Sequence, residues 1–236
     1  MILNISNETF GGAVRNGDLI AVCNVVEYFR NTIPDIQFHM LPSSINSADH
    51  CKKFHKFLIA HTNYFSNTPG KSNLNWKKVN LWDFRDCSGD LVKIPGLDVP
   101  KKKIVIFPLF DAQYNTYRNW PTHVYFDILR KYNTPEFVGY EKIVCSSVPL
   151  DVQSFGYVNS TNFEENLYHI LTSSVFVGGD TGTTHFAFAL TNGPEHLEYV
   201  GSSRALVHTL PFYLMQGKGV CRNYWLDMEG STFNNQ

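Results

Sequence analysis

A chain of 236 residues is long enough for one domain or two small ones, and with 43% hydrophobic and 17% charged residues it is a folded protein with a packed core, not a disordered one. The five cysteines (Cys23, Cys51, Cys87, Cys145, Cys221) are scattered and odd in number, which argues against a disulfide framework and reads as free thiols in a reducing compartment. The net charge of −1 conceals an asymmetry: residues 51–103 hold 11 Lys and Arg against four Asp, a net of +7, while the remainder nets −8.

The opening MILNISNETFGG has no basic region leading into a long apolar run, and no stretch is long enough to span a bilayer, so a soluble, cytoplasmic protein is expected. Residues 2–5 predict a short strand. Residues 11–18 form a glycine-rich turn. Leu19, Ile20, Val22, Cys23, Val26 and Phe29 then recur at helical spacing as far as Arg30, and Asn31-Thr32-Ile33-Pro34-Asp35 stops the helix. Residues 36–41 read as a strand, completing a βαβ unit. Asp18 stands at the start of that helix, as a cap or as a general base reaching from a strand end into a cleft. Residues 43–63 predict one irregular helix that includes His50, Cys51, His55 and His61. The Cys-x3-His pair there is too thin for a zinc site, so no metal is expected.

Residues 63–100 are loop-heavy, with one short strand at Leu91–Ile94, and 95–103 is the linker. The division expected is 1–98 and 99–236. Lys52, Lys53, Lys56, Lys77, Lys78 and the run 101–103 dominate the basic segment. They form either a face for a polyanion or a solvated loop. The second half predicts a buried strand at 104–109, a helix to about Lys131 with Pro121 in its first turn, and a strand at 143–147. A helix over 163–173 follows, with Leu167, Ile170 and Leu171 inward, then short strands at 175–177 and 197–200. Residues 203–217 are partly helical, and the tail from Cys221 is left without an element.

The stretch Val175–Leu190 organises the rest. A strand runs into Gly178-Gly179-Asp180-Thr181-Gly182-Thr183-Thr184 and on into a helix. Glycines allow close backbone approach, and Asp and Thr cap helix starts. A helix start offers unpaired N–H groups and the positive end of a dipole, which suits a phosphate. An ordinary capped turn has the same composition.

Four stretches together resemble the ADP-heptose–lipopolysaccharide heptosyltransferase family. Asn16-Gly17-Asp18-Leu19-Ile20 resembles its N-terminal Gly-Asp turn. Ile104–Pro108 with Arg118-Asn119-Trp120-Pro121 resembles its strand and Lys-x-Trp-Pro loop. Tyr157-Val158-Asn159-Ser160-Thr161 resembles the segment upstream of its signature. Gly179–Ala187 resembles the signature Asp-Ser/Thr-Gly-Pro-x-His-x-Ala. Beyond these four, Gly201-Ser202-Ser203 falls where the family has a second phosphate-side turn. Thr183 replaces the family's Pro, and Arg118 its Lys. Residues 42–100 carry no likeness.

The resemblance implies an α/β protein of the GT-B type, two Rossmann-like lobes with a reduced N-terminal lobe. It also implies an inverting, metal-independent transfer from a nucleotide-diphosphate sugar, the donor substrate, with no cofactor. Arg118, Thr181, Gly182, Thr183 and Thr184 would meet the diphosphate, and Asp180 the sugar hydroxyls. His185 would face the phosphate or pack within its helix. Ser146 would line the nucleobase pocket, Ser202 would sit on the second turn, and Asp18 would be the base across the interdomain cleft. The acceptor is either a phosphorylated saccharide or a hydroxylated base in DNA, such as hydroxymethylcytosine in phage-type modification. A base in a duplex would require extrusion from the helix. In either case Lys52, Lys53, Lys77 and Lys78 would hold the polyanion. A module that binds nucleotide sugar without turnover is the alternative.

Overall fold

The computed structural model describes residues 1–74, 81, 94–99, 101–108, 118–202 and 220–225, with Ser202 and 220–225 as backbone alone. Two compact units result, Met1–Pro95 and Gly96–Gln236. Among the described residues no helix is long and apolar enough to cross a membrane.

The first unit is built on a parallel sheet ordered β2-β1-β3, from β1 (Ile2–Ile5), β2 (Gln37–Met40) and β3 (Ser72–Asn73). Period-2 alternation in β1 and β2 turns Leu3, Ile5, Phe38 and Met40 inward. Helix α1 (Asn16–Arg30) starts three residues before the apolar repeat does. Asp18 explains this: it is the third helical residue, and its Oδ2 accepts the Arg15 N–H at 2.9 Å, one half of a capping box. It therefore lies within the first helical turn.

The helix expected over 43–63 is broken. Ser44 O accepts the Val14 N–H at 2.8 Å, and Asn46 N–H donates to Val14 O at 2.9 Å. Residues 44–46 thus pair with the loop after β1, and α2 covers only Asp49–His61. Tyr64–Ser66, expected as loop, pairs in parallel with Phe38. Of the strand expected at 91–94, residues 91–93 lie outside the described residues.

The second unit is a six-stranded parallel sheet: β4 (Lys103–Phe107), β5 (Glu141–Cys145), β6 (Val158–Ser160), β7 (Val175–Gly178), β8 (His196–Ser202) and β9 (Val220–Trp225). Its order, β6-β5-β4-β7-β8-β9, is the 3-2-1-4-5-6 order of a doubly wound nucleotide-binding sheet. Helices α3 (Thr122–Lys131), α4 (Phe163–Leu171) and α5 (Gly182–Ala189) connect the strands. The near-continuous apolar runs of β4 and β7 reflect burial on both faces. Ile104, Ile106, Val175 and Val177 pack against Trp120, Val124 and Ile128 of the α3 side. Leu167, Ile170 and Leu171 of α4 are buried as expected. The partly helical stretch expected at 203–217 lies outside the described residues.

Glu198, fully buried near the amino end of β8, anchors α3 to the sheet. Its Oε2 accepts from Lys131 Nζ at 2.5 Å and Tyr132 OH at 2.7 Å, with His196 Nε2 at 3.5 Å. Burial alone would raise this carboxyl, but the contacts from His196, Lys131 and Tyr132 outweigh it and hold it down to about 2.

Candidate functional site

In a 3-2-1-4-5-6 sheet the topological switch point lies between the first and fourth strands in this order, here β4 and β7. The crevice opens at their carboxyl ends. The Gly179 N–H donates to Phe107 O at 3.2 Å, continuing the ladder by one residue, and the chain then turns. The Thr181 N–H donates to Gly179 O at 2.9 Å, and Thr184 Oγ1 donates to the same carbonyl at 2.5 Å. Gly178 is required here, because a Cβ on it would strike the Thr184 hydroxyl and the Phe176 ring.

Thr181 is the N-cap of α5. Its Oγ1 accepts the Thr184 N–H at 3.2 Å and lies 2.7 Å from the Thr183 hydroxyl. The His185 N–H donates to Thr181 O at 3.2 Å. Two amides of the first turn, those of Gly182 and Thr183, have no acceptor among the described residues.

Arg118 stands beside this turn. Its Nε lies 3.1 Å from Asp180 Oδ2, and the Asp180 side chain is 6% exposed. Two residues on, the buried Trp120 donates its Nε1–H to Val200 O of β8 at 3.0 Å. His185 is buried. Burial first, and the Arg118 charge second, push its imidazole down to about 4, so it is neutral at physiological pH. The sheet therefore brings Arg118, Asp180, Thr181, Gly182, Thr183, Thr184 and His185 to one place.

Ser146, just past the end of β5, is turned inward. Its hydroxyl donates to Val148 O at 2.5 Å and accepts from Asn159 Nδ2 at 2.8 Å, so it shapes the loop after β5. Ser202 ends β8 at an irregularity in the pairing with β9. Asn159 and Trp120 are structural anchors that residue-type reasoning passed over. A Trp directly before a helix-opening Pro was the signal for the second.

In the first unit Asp18 is partly buried. Burial raises its carboxyl above the ordinary value, and the Arg15 amide and charge oppose this. The first turn of α2 lies close by. Arg15 perturbs His50, and the Cys51 thiol meets the Asn16 backbone. Lys52 and Lys56 are exposed one turn apart on α2, whereas Lys53 pairs with Asp49 at 3.2 Å. Lys77 and Lys78 lie outside the described residues. Cys51 and His55, the pair with metal-ligand spacing, are both buried in the packing of α2.

No protein-family model matches this sequence, and no curated protein matches it. Among solved structures, that of E. coli heptosyltransferase WaaC with ADP aligns over 86% of this chain and 88% of that chain, at a TM-score of 0.50 and 10% identity. The structure of the same enzyme with ADP-2-deoxy-2-fluoro heptose aligns over 86% and 89%, at 0.45 and 11%. The fold is heptosyltransferase-like. The four stretches that resembled this family thus belong to a chain with the matching GT-B fold. At such identity the likeness is one of fold, and the heptosyltransferase-like fold supplies the scaffold on which the site described above sits.

Proposed function

We propose that the protein is a glycosyltransferase that takes its sugar from a nucleotide-diphosphate donor. One observation carries this reading: the Gly182 and Thr183 amides, which have no acceptor among the described residues, open the helix that follows β7 at the switch point of a 3-2-1-4-5-6 sheet, and Arg118 pairs with Asp180 just before them. Such a turn suits a diphosphate, and the fold neighbour WaaC is described with ADP.

In this reading the acceptor oxygen attacks the anomeric carbon as the bond to the diphosphate breaks, with inversion. The amides, the Thr181 hydroxyl and Arg118 take up the charge growing on the leaving group, so the transfer runs without a metal. Asp18 takes the acceptor's proton, and its raised carboxyl is a better base than an ordinary surface aspartate. The acceptor is anionic, which the exposed Lys52 and Lys56 of α2 support.

The test is calorimetric binding of ADP, GDP, UDP and CDP to the protein and to Gly182→Pro. Proline is tolerated at a first helical position, and Thr181 before it is already extended (φ −134°, ψ 161°), so the helix survives while one amide is deleted. About tenfold weaker binding is expected, the size of one hydrogen bond to a charged group. Equal affinity of the two proteins removes the diphosphate from this turn. Mass spectrometry of hydroxymethylated DNA and of lipopolysaccharide cores, incubated with nucleotide sugars, then identifies the acceptor. Sugar mass on neither leaves only the binding module.

A further inference from the structure

The amino ends of β4 and β7 lie at the opposite edge of the sheet from the donor turn, and they hold a polar cluster that the transfer reading leaves unused. Lys103 opens β4, and its side chain is 10% exposed. Its Nζ lies 3.0 Å from His169 Nδ1 and 3.0 Å from Thr172 Oγ1, both at the end of α4, and 3.2 Å from Glu141 Oε2 at the start of β5. The backbone of the same residue holds the chain a second time. The Lys103 carbonyl accepts the Ser174 N–H at 3.0 Å and the Ser174 hydroxyl at 3.2 Å, one residue before β7. Lys103 thus fastens both the last turn of α4 and the entry to β7 onto β4.

Counting hydrogens assigns the proton positions in this cluster. The Thr172 hydroxyl donates to Tyr168 O at 2.9 Å, so towards Lys103 its oxygen accepts. The Glu141 carboxylate also accepts. Those two take two of the three ammonium N–H groups, and the third is left for His169 Nδ1. That nitrogen must present a lone pair, so the imidazole proton sits on Nε2. An imidazolium has no lone pair to offer. Charging His169 would replace a hydrogen bond with two cations 3.0 Å apart, and with Lys103 buried, solvent screens them little.

The charged groups that face His169 are Lys103 from β4, Glu141 from β5 and Glu165 one turn back on α4. Burial first and the Lys103 charge second oppose protonation, and the two carboxylates offset this only in part, so the imidazole titrates below its ordinary range.

We propose that the Lys103–His169 contact is an acid-operated latch: neutral His169 holds the end of α4 and the entry to β7 against β4, and protonated His169 releases them. The latch is independent of the donor reading. The folded imidazole titrates below the unfolded one, so the latch is fully closed above about pH 6.5 and opens as pH falls through the lowered value.

The experiment is hydrogen exchange by mass spectrometry on peptides covering residues 163–174, from about pH 7.5 to about pH 4.5, with rates corrected for the intrinsic pH dependence of amide exchange. Protection of these peptides in wild type should fall by about tenfold in acid, the equivalent of one lost charge-assisted hydrogen bond. In His169→Asn the side-chain oxygen replaces Nδ1 with an acceptor that acid cannot charge. Protection of that variant at neutral pH should stay within about twofold of wild type, and the local fall in acid should vanish. Long-range nitrogen–proton NMR spectra of the wild-type imidazoles, which need no variant, should show neutral His169 protonated on Nε2 alone. They decide the matter should His169→Asn fail to fold. The same acid-induced loss of protection in His169→Asn as in wild type overturns the proposal, as does a neutral His169 that carries its proton on Nδ1.

Discussion

Helices α1 and α5 each open beyond the end of a parallel strand, one in each unit, and their first turns are filled in contrasting ways. In α1 the third residue is Asp18, whose carboxylate accepts the Arg15 amide at 2.9 Å and places a negative charge at the positive end of the dipole. In α5 the cap is the neutral Thr181 hydroxyl, the Gly182 and Thr183 amides have no acceptor among the described residues, and the nearby carboxylate, Asp180, is paired with Arg118. A helix start can satisfy its own carboxylate or an incoming anion, and strong occupation by one works against the other. On this logic the first turn of α5 suits the leaving diphosphate. The first turn of α1 suits a neutral hydroxyl about to lose a proton.

The largest effect should come from removing the charge in α1. Asp18→Asn keeps an oxygen for the Arg15 amide and so keeps the cap, at a cost below about 1 kcal/mol. As a lost general base it should lower kcat by about 10²- to 10⁴-fold, with nucleoside-diphosphate affinity unchanged. Steady-state transfer assays alongside calorimetry separate the two quantities. Transfer at the wild-type rate would make Asp18 a cap and nothing more, and the contrast between the helix starts would then say nothing about chemistry.

Acidification gives the next effect, and it tests the two units in parallel. His55 in the first unit and His185 in the second are both pushed down to about 4, chiefly by burial. Each has a folded value below its unfolded one, so each contribution is complete above about pH 6.5 and is lost as pH falls toward 4. The full loss is of order 3 kcal/mol per group. Glu198, held at about 2, behaves likewise in a lower window, from about pH 4.5 down to 2. Denaturant melts at a series of pH values should therefore show stability falling in two stages. His185→Gln should shrink the upper stage and leave the lower one. A flat profile between pH 6.5 and 4 would show that these imidazoles are protonated without penalty, hence not buried as described.

How much of this could be read from the residues follows from where the information lies. The apolar run Ile104-Val105-Ile106-Phe107 and the glycine–threonine turn after Val177 identify β4, β7 and the start of α5, because burial on both faces and capping leave local marks. β6 has only three residues, and β9 carries Arg222 and Asn223 in its middle, which breaks the apolar pattern of a strand, so pairing with neighbours elsewhere in the chain defines both. The break before α2 was hidden for the same reason: it is caused by Val14, thirty residues upstream of Ser44. In the site, Thr181, Thr183 and Thr184 were legible as caps. The Arg118–Asp180 pair was not, since 62 residues separate its members and the parallel pairing of β4 with β7 sets the ends of the two strands side by side. At Ser146 the serine alone did not disclose what holds its hydroxyl, namely Val148 O and Asn159 Nδ2.

The smallest change would convert one helix start toward the other. Asp is as good an N-cap as Thr, so in Thr181→Asp the new carboxylate can accept the Thr184 N–H as the hydroxyl does, and stability should change by less than about 0.5 kcal/mol. The dipole would even favour the new charge. Yet that charge would stand where the diphosphate is proposed to bind, among the Gly182 and Thr183 amides. Affinity for the diphosphate should drop by about tenfold, with the loss shrinking as salt screens the repulsion. Thr181→Ala supplies the complementary case, losing about 1 kcal/mol of stability by thermal melt without adding charge. If Thr181→Asp binds nucleoside diphosphates as tightly as Thr181→Ala does, the anion is held elsewhere, and the neutrality of the α5 cap is a packing detail with no bearing on the donor.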